Sequence, residues 1–184
     1  MRRLVSLGCL ALSACASSHP ESARPATESV RVVGGDGAMG SMRMSGSDGA
    51  ASVDVAFAPD QVWAILPAVY DSLGIPVSTI DPTRRTIGNP GFKAHQRLGK
   101  TSLGRYIDCG RAQGFPSADS YDIYLSITTH VQSGKTSQST RISTLLEAAG
   151  RPMAFSGEYT KCGSLGSLES AINDAVRKKL ANKG

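Results

Sequence analysis

Tyr121-Asp122-Ile123-Tyr124-Leu125-Ser126-Ile127-Thr128-Thr129-His130-Val131 is the stretch whose reading decides the fold. Tyr121, Ile123, Leu125, Ile127, Thr129 and Val131 alternate with Asp122, Tyr124, Ser126, Thr128 and His130. A period of two puts the first set on one side of an extended chain and the second on the other. Gln132 to Gln138, with Ser133-Gly134, reads as a polar hairpin loop. Thr140, Ile142, Thr144, Leu146 and Ala148 then alternate with Arg141, Ser143, Leu145 and Glu147. The two runs predict an antiparallel pair with one apolar face and one face in water.

Downstream, Phe155 to Thr160 reads as a last short strand, and Ser164 as the cap of a final helix. Leu165, Leu168, Ile172, Val176 and Leu180 recur at helical spacing and are expected to face the sheet. Arg177, Lys178 and Lys179 fall in its last turns, where cations complement the helix dipole. Upstream, Arg111 to Ser120 carries Gly114 and Pro116 and reads as a loop. Thr101 to Cys109 is open between strand and irregular structure, with Leu103, Tyr106 and Ile107 as its apolar side. Phe92 to Leu98 reads either as a strand or as an extension of Arg85–Gly88. That segment forms a hairpin with Ile75–Ile80 around Asp81-Pro82-Thr83-Arg84.

Pro59-Asp60 opens a first helix through Val62, Ile65, Leu66, Val69 and Leu73, with Trp63 and Tyr70 alongside. Pro67 is expected to kink or split it, and Gly74 to end it. Before it, Val30–Val33, the Met39/Met42/Met44 segment and Val53/Val55/Phe57 predict a small meander with Gly/Asp turns. Gly35-Asp36-Gly37-Ala38-Met39-Gly40 matches the dinucleotide-binding spacing, but no helix pattern follows it, so a hairpin turn is the reading. The fold class is α+β: an antiparallel sheet with two helices packed on one face.

Met1-Arg2-Arg3, the apolar run from Leu4 and the small residues before Cys15 have the form of a secretory signal. The run is too short to span a bilayer, which takes about 20 apolar residues. Ser17, Ser18, Pro20, Ser22, Pro25 and Thr27 follow, a composition that extends no helix into a core. The expected organisation is a signal at 1–14, a flexible tether at 15–28 and a single α+β domain at 29–184. An ordinary signal cut near Ala14 or Ala16 is the rival. Loss of Arg2 and Arg3 lowers the formal charge from +5 to +3. The cations are scattered and only 5% of residues are aromatic, which argues against nucleic acid as a partner.

Leu12-Ser13-Ala14-Cys15 resembles the lipobox of bacterial lipoproteins. That resemblance implies cleavage before Cys15, a diacylglycerol on its sulfur and an acylated amine, palmitate being a typical chain. Acyl chains at about 0.8 kcal/mol per buried CH₂ would hold a domain stably at a membrane. Ala16 after the cysteine resembles the outer-membrane sorting pattern, facing the periplasm. The order strand, long helix, antiparallel strands, C-terminal helix over 52–181 resembles the helix-grip domains of BamC-type envelope lipoproteins. So does Trp63 with Tyr70-Asp71-Ser72-Leu73-Gly74-Ile75. The resemblance implies a fold and a compartment, and carries no activity with it.

With Cys9 in the signal and Cys15 taking lipid, Cys109 and Cys162 remain. In an oxidising compartment a bridge between them is expected, closing a loop of more than fifty residues; free thiols are the alternative. A Cys109/His130 nucleophile pair would need Cys109 unbridged. His95 and His130 lack a partner at metal-ligand spacing, and His130 is expected at the surface beside Thr128. Glu147 and Glu158, the acids considered for glycosidase chemistry, are expected as surface charges. No metal, no cofactor and no catalytic set is expected. The function expected is therefore a membrane-anchored envelope lipoprotein, not an enzyme, that binds an envelope protein partner. The alternative is a carrier holding a small apolar ligand between helix and sheet.

Overall fold

The computed structural model describes residues 27–33, 39–45, 50–154 and 156–182. Strands β1 (Thr27–Val33) and β2 (Met39–Ser45) pair antiparallel as a sheet of their own. Val33 stands opposite Met39, while residues 34–38, on which the hairpin-turn reading of Gly35–Gly40 falls, lie outside the described residues. Strand β3 (Ala51–Val55) does not continue that hairpin into the expected meander. Helix α1 (Pro59–Leu73), β4 (Thr79–Asp81) and β5 (Thr86–His95) follow. Short strands β6 (Arg97–Leu98), β7 (Thr101–Ser102), β8 (Ile107–Asp108), β9 (Arg111–Ala112) and β10 (Phe115–Pro116) come next, with a 3-10 turn at Leu103–Arg105. The chain ends in β11 (Tyr121–Ser133), β12 (Thr140–Pro152), β13 (Thr160–Ser164) and α2 (Ser167–Ala181).

The large sheet runs β7-β6-β5-β11-β12-β13-β8, with β4 on β5 and β3 on β12. Its pairings are antiparallel, and β11 and β12 are in register along their whole length, from Tyr121↔Pro152 to Ser133↔Thr140. The two helices touch each other, α1 lying against β11 and α2 against β12. The core joins Val62, Leu66 and Tyr70 of α1 to Ile123, Leu125 and Ile127 of β11, Ile142 and Leu146 of β12, and Leu168, Ile172 and Val176 of α2. The molecule is thus α+β, with a large antiparallel sheet and two helices.

Several local expectations are corrected. Pro67 neither splits nor ends α1, which continues to Leu73. It is exposed, so the Trp63 carbonyl that loses its donor lies on the solvent side. Gly74 ends the helix at φ 71, and the Ile75 N–H donates to the Tyr70 carbonyl at 2.9 Å. Residues 75–78, with Pro76, stay outside the sheet, so only Thr79–Asp81 pairs. The last strand is Thr160–Ser164 rather than Phe155–Thr160. Ser164 does not cap α2: Gly166 precedes the helix, and the Ser164 hydroxyl donates to Glu169 Oε1 at 2.6 Å. Leu165 points away from the core, 53% exposed.

The face of the β11–β12 pair expected in water is covered at one end. Tyr124, Ser126, Glu147 and Ala149 are buried there. Tyr159, arriving just before β13, stands edge-on to Tyr124 with centroids 4.8 Å apart, and the Arg151 guanidinium lies 4.7 Å from the Tyr159 centroid. At the hairpin-loop end, His130 and Ser143 remain half-buried and Arg141 exposed, as alternation predicts.

One hydrogen-bonded chain crosses the helix–sheet interface. The Tyr70 hydroxyl donates to Thr129 Oγ1 at 2.8 Å, with the Ile87 carbonyl at 3.2 Å, and Thr129 and Thr144 share a hydrogen bond of 2.9 Å. Burial is the main reason the Tyr70 phenol is pushed up from 10.0 to about 12. The folded state therefore holds this proton more tightly than the unfolded chain. The contribution is intact below pH 10 and is lost as pH rises toward 12. Tyr70→Phe is expected to cost about 1–2 kcal/mol in urea unfolding at neutral pH. It should also give a shallower loss of stability between pH 10 and 12; an unchanged alkaline slope would contradict the assignment.

Candidate functional site

The turn joining β4 to β5 is built by short-range bonds. The Arg84 N–H donates to Asp81 Oδ1 at 3.0 Å and the Arg85 N–H to the Pro82 carbonyl at 3.3 Å. Arg85 then takes φ 48, in the left-handed region, where a non-glycine residue costs on the order of 1 kcal/mol. Two contacts hold it there. Its carbonyl accepts the Val131 N–H at 3.0 Å, and its guanidinium meets Asp60 Oδ1 at 2.6 Å. The turn is thereby pulled against the loop end of β11, and the Thr86 hydroxyl and His130 Nδ1 lie 3.0 Å apart.

Between turn and strand lies an open depression of about 660 Å³, lined by Pro82, Thr83, Arg84, Arg85, Thr86, His130 and Val131. Its polar lining residues are two arginines, two threonines and a histidine. The acids that pair with the arginines, Asp60 and Asp81, are not among the lining residues. The depression continues into a polar row across four strands. Thr86 opposes His130, His130 opposes Ser143, and Ser143 opposes Ser52, with Ser52 Oγ and Ser143 Oγ 2.8 Å apart.

The candidates read from the sequence do not converge. Cys109 is bonded to Cys162, with their Cα atoms 4.4 Å apart. The bridge sits against Gly150, where a Cβ would stand 3.3 Å from Cys109 Sγ, and Gly150 pairs with Ile123. His130 lies seven residues further along β11, about 23 Å away at roughly 3.3 Å per residue. The Cys109/His130 nucleophile pair is therefore not assembled. His95 is exposed at the opposite end of the same strand face, paired across from Asp122. Glu158 is exposed, but Glu147 is buried at 5%, which corrects its reading as a surface charge. Among the described residues, no three His, Cys, Asp or Glu side chains are grouped to hold a metal. Cys15, the signal and most of the tether lie outside the described residues.

The joining of Arg84 and Arg85 to His130 was missed from the sequence. The available signal was the turn Asp81-Pro82-Thr83-Arg84 at the end of a strand pairing with the His130 strand. Alternation alone gives no register between β5 and β11, which shifts between Leu125 and Ile127.

No family model, curated protein or solved structure matches the chain.

The bridge ties β8 and its flanking turn to β13, 53 residues on. A loop of that length is worth about 4 kcal/mol in the chain-entropy description. The Cys109→Ser/Cys162→Ser double variant is expected to lose roughly that amount in equilibrium unfolding. The oxidised wild-type chain should yield a single Cys109–Cys162 peptide in non-reducing digests; two alkylatable thiols would contradict the pairing.

Proposed function

We propose that the chain is an envelope lipoprotein held to the outer membrane by lipid on Cys15, and that its domain binds another envelope protein. In this reading residues 1–14 are removed and 15–28 form the tether. Both helices then pack on one face of the sheet in the helix-grip manner of BamC-type lipoproteins. The observation that carries the proposal is the Cys109–Cys162 bridge, since structural disulfides belong to oxidising compartments such as the periplasm. The lipobox resemblance supplies the anchor. No helix among the described residues is long and apolar enough to cross a membrane, so lipid is the attachment proposed.

The binding role is favoured over catalysis because the histidine, cysteine and acidic candidates lie apart. It is favoured over an apolar carrier because the helix–sheet interface is occupied by fully buried Tyr70, Leu66, Ile127 and Leu168. One concave site among the described residues lies at the polar turn beside His130.

The test is fractionation of cells expressing the full chain. Wild type should partition with membranes and carry acyl mass on an N-terminal Cys15. Cys15→Ser should shift the protein to the soluble periplasmic fraction. Wild-type protein that begins at Met1 without lipid, or a Cys15→Ser variant that stays with membranes, would remove the anchor.

A further inference from the structure

We propose that the β9–β10 hairpin is a membrane-contact tip, setting the Phe115 ring into the headgroup boundary of an anionic phospholipid bilayer. That a bilayer is near rests on the lipid anchor proposed above; the contact chemistry rests on the hairpin itself.

The hairpin is built to hold its end out from the fold. Phe115 pairs with Ala112 and Pro116 with Arg111, in a two-stranded sheet apart from the large one. Gln113 and Gly114 turn at φ 51 and φ 85, the two positive values a tight two-residue hairpin needs. The Arg111 guanidinium closes the turn by donating to the Gly114 carbonyl at 2.7 Å. At the root, the Ser117 N–H donates to the Gly110 carbonyl at 2.9 Å and the Gly110 N–H to Asp108 Oδ1 at 2.8 Å. The bridged Cys109 stands beside them. An end held this way loses little freedom when it makes a contact.

That end carries an aromatic ring the fold does not use. Residues 110–115 are all exposed, and Phe115, at 74%, is the most exposed large apolar side chain among the described residues. Met153, 59% exposed, leaves the sheet from a neighbouring root, since Gly150 lies against Cys109 Sγ.

Charge selects the surface. From Cys109 to Ala118 the sequence holds one charge, Arg111, and no acid. Arg84, Arg85, Arg141, Arg151 and Arg177 each face a carboxylate, whereas Arg111 meets none among the described residues. Arg111 belongs to the pair one step nearer the root than Phe115, about 3.4 Å along the strand. An apolar ring ahead of a cation matches an acyl boundary lying beneath a layer of phosphates. A specific protein interface takes about 20–30 residues a side, far more than this narrow end presents, whereas a bilayer yields to it. A flexible tether over 15–28 lets the domain turn, so the face that meets the bilayer is chosen by its own surface.

The experiment is co-sedimentation of the unlipidated full chain, Cys15→Ser, with phosphatidylcholine vesicles made with or without phosphatidylglycerol, at millimolar lipid. The chain should bind the anionic vesicles about five-fold more tightly than the neutral ones. In the same background, Phe115→Ser should weaken binding at least about ten-fold. Arg111→Gln should weaken it about five-fold and abolish the preference for anionic lipid. Both variants should keep the unfolding midpoint of their parent, since both side chains are exposed. Phe115→Trp should emit at shorter wavelength when anionic vesicles are added. Four results overturn the proposal: no binding to anionic vesicles, equal binding to both kinds, Phe115→Ser binding like its parent, or Phe115→Trp emission that vesicles do not move. The chain tested carries no acyl group, so a silent vesicle assay leaves the anchor standing and a lost anchor leaves the vesicle result standing.

Discussion

The continuous pairing of β11 with β12 is the constraint to which the rest of the molecule answers. Each strand runs thirteen residues in a single register, so every side chain is assigned a face and a height along the sheet. On the helix side this sets Ile123, Leu125, Ile127 and Thr129 in a line, which α1 meets with Leu66, Val69 and Tyr70. On the other side it sets His130 in a row with Thr86, Ser143 and Ser52 at one end, and Tyr124 in reach of Tyr159 at the other. A slip of one residue would exchange the two sides and bury Asp122 and His130.

Much of this was legible because it is local. Period-two alternation gave the two long strands, and the 3.6 spacing of Leu168, Ile172 and Val176 gave α2. Gly74 gave the end of α1. What alternation misjudged was how the far face is covered. Glu147 and Tyr124 occupy polar-side positions, and they are buried by a segment whose return over the sheet leaves no periodic trace. That Pro67 leaves α1 unsplit depends on which side of the helix it occupies, which the packing decides. Ser164 carries the residue type of a cap, but its hydroxyl is spent on Glu169 and the helix begins after Gly166.

The candidate site was less legible than the fold. His130, Arg84 and Arg85 were each visible as residues, and the turn holding the two arginines was visible as a turn. Their meeting depends on the register of β5 against β11 and on the Val131 N–H reaching the Arg85 carbonyl. Cys109 and Cys162 were easier, because they are the two cysteines among the described residues, and the sheet brings the segments that carry them together through β13 and β8.

The placement of β3 bears on the order in which the domain comes into being. Its Asp54 is joined to Arg141 through two hydrogen bonds, of 2.9 and 3.1 Å, across a separation of 87 residues. The Thr140 hydroxyl likewise reaches back 83 residues to the Phe57 carbonyl. A chain threaded from its amino end, through a ribosome or a translocation pore, must therefore carry β3 unmatched until β12 has emerged. The oxidation that links Cys109 to Cys162 comes later still. The edge that β3 makes is therefore among the last parts of the sheet to close, although β3 is made before the rest of that sheet.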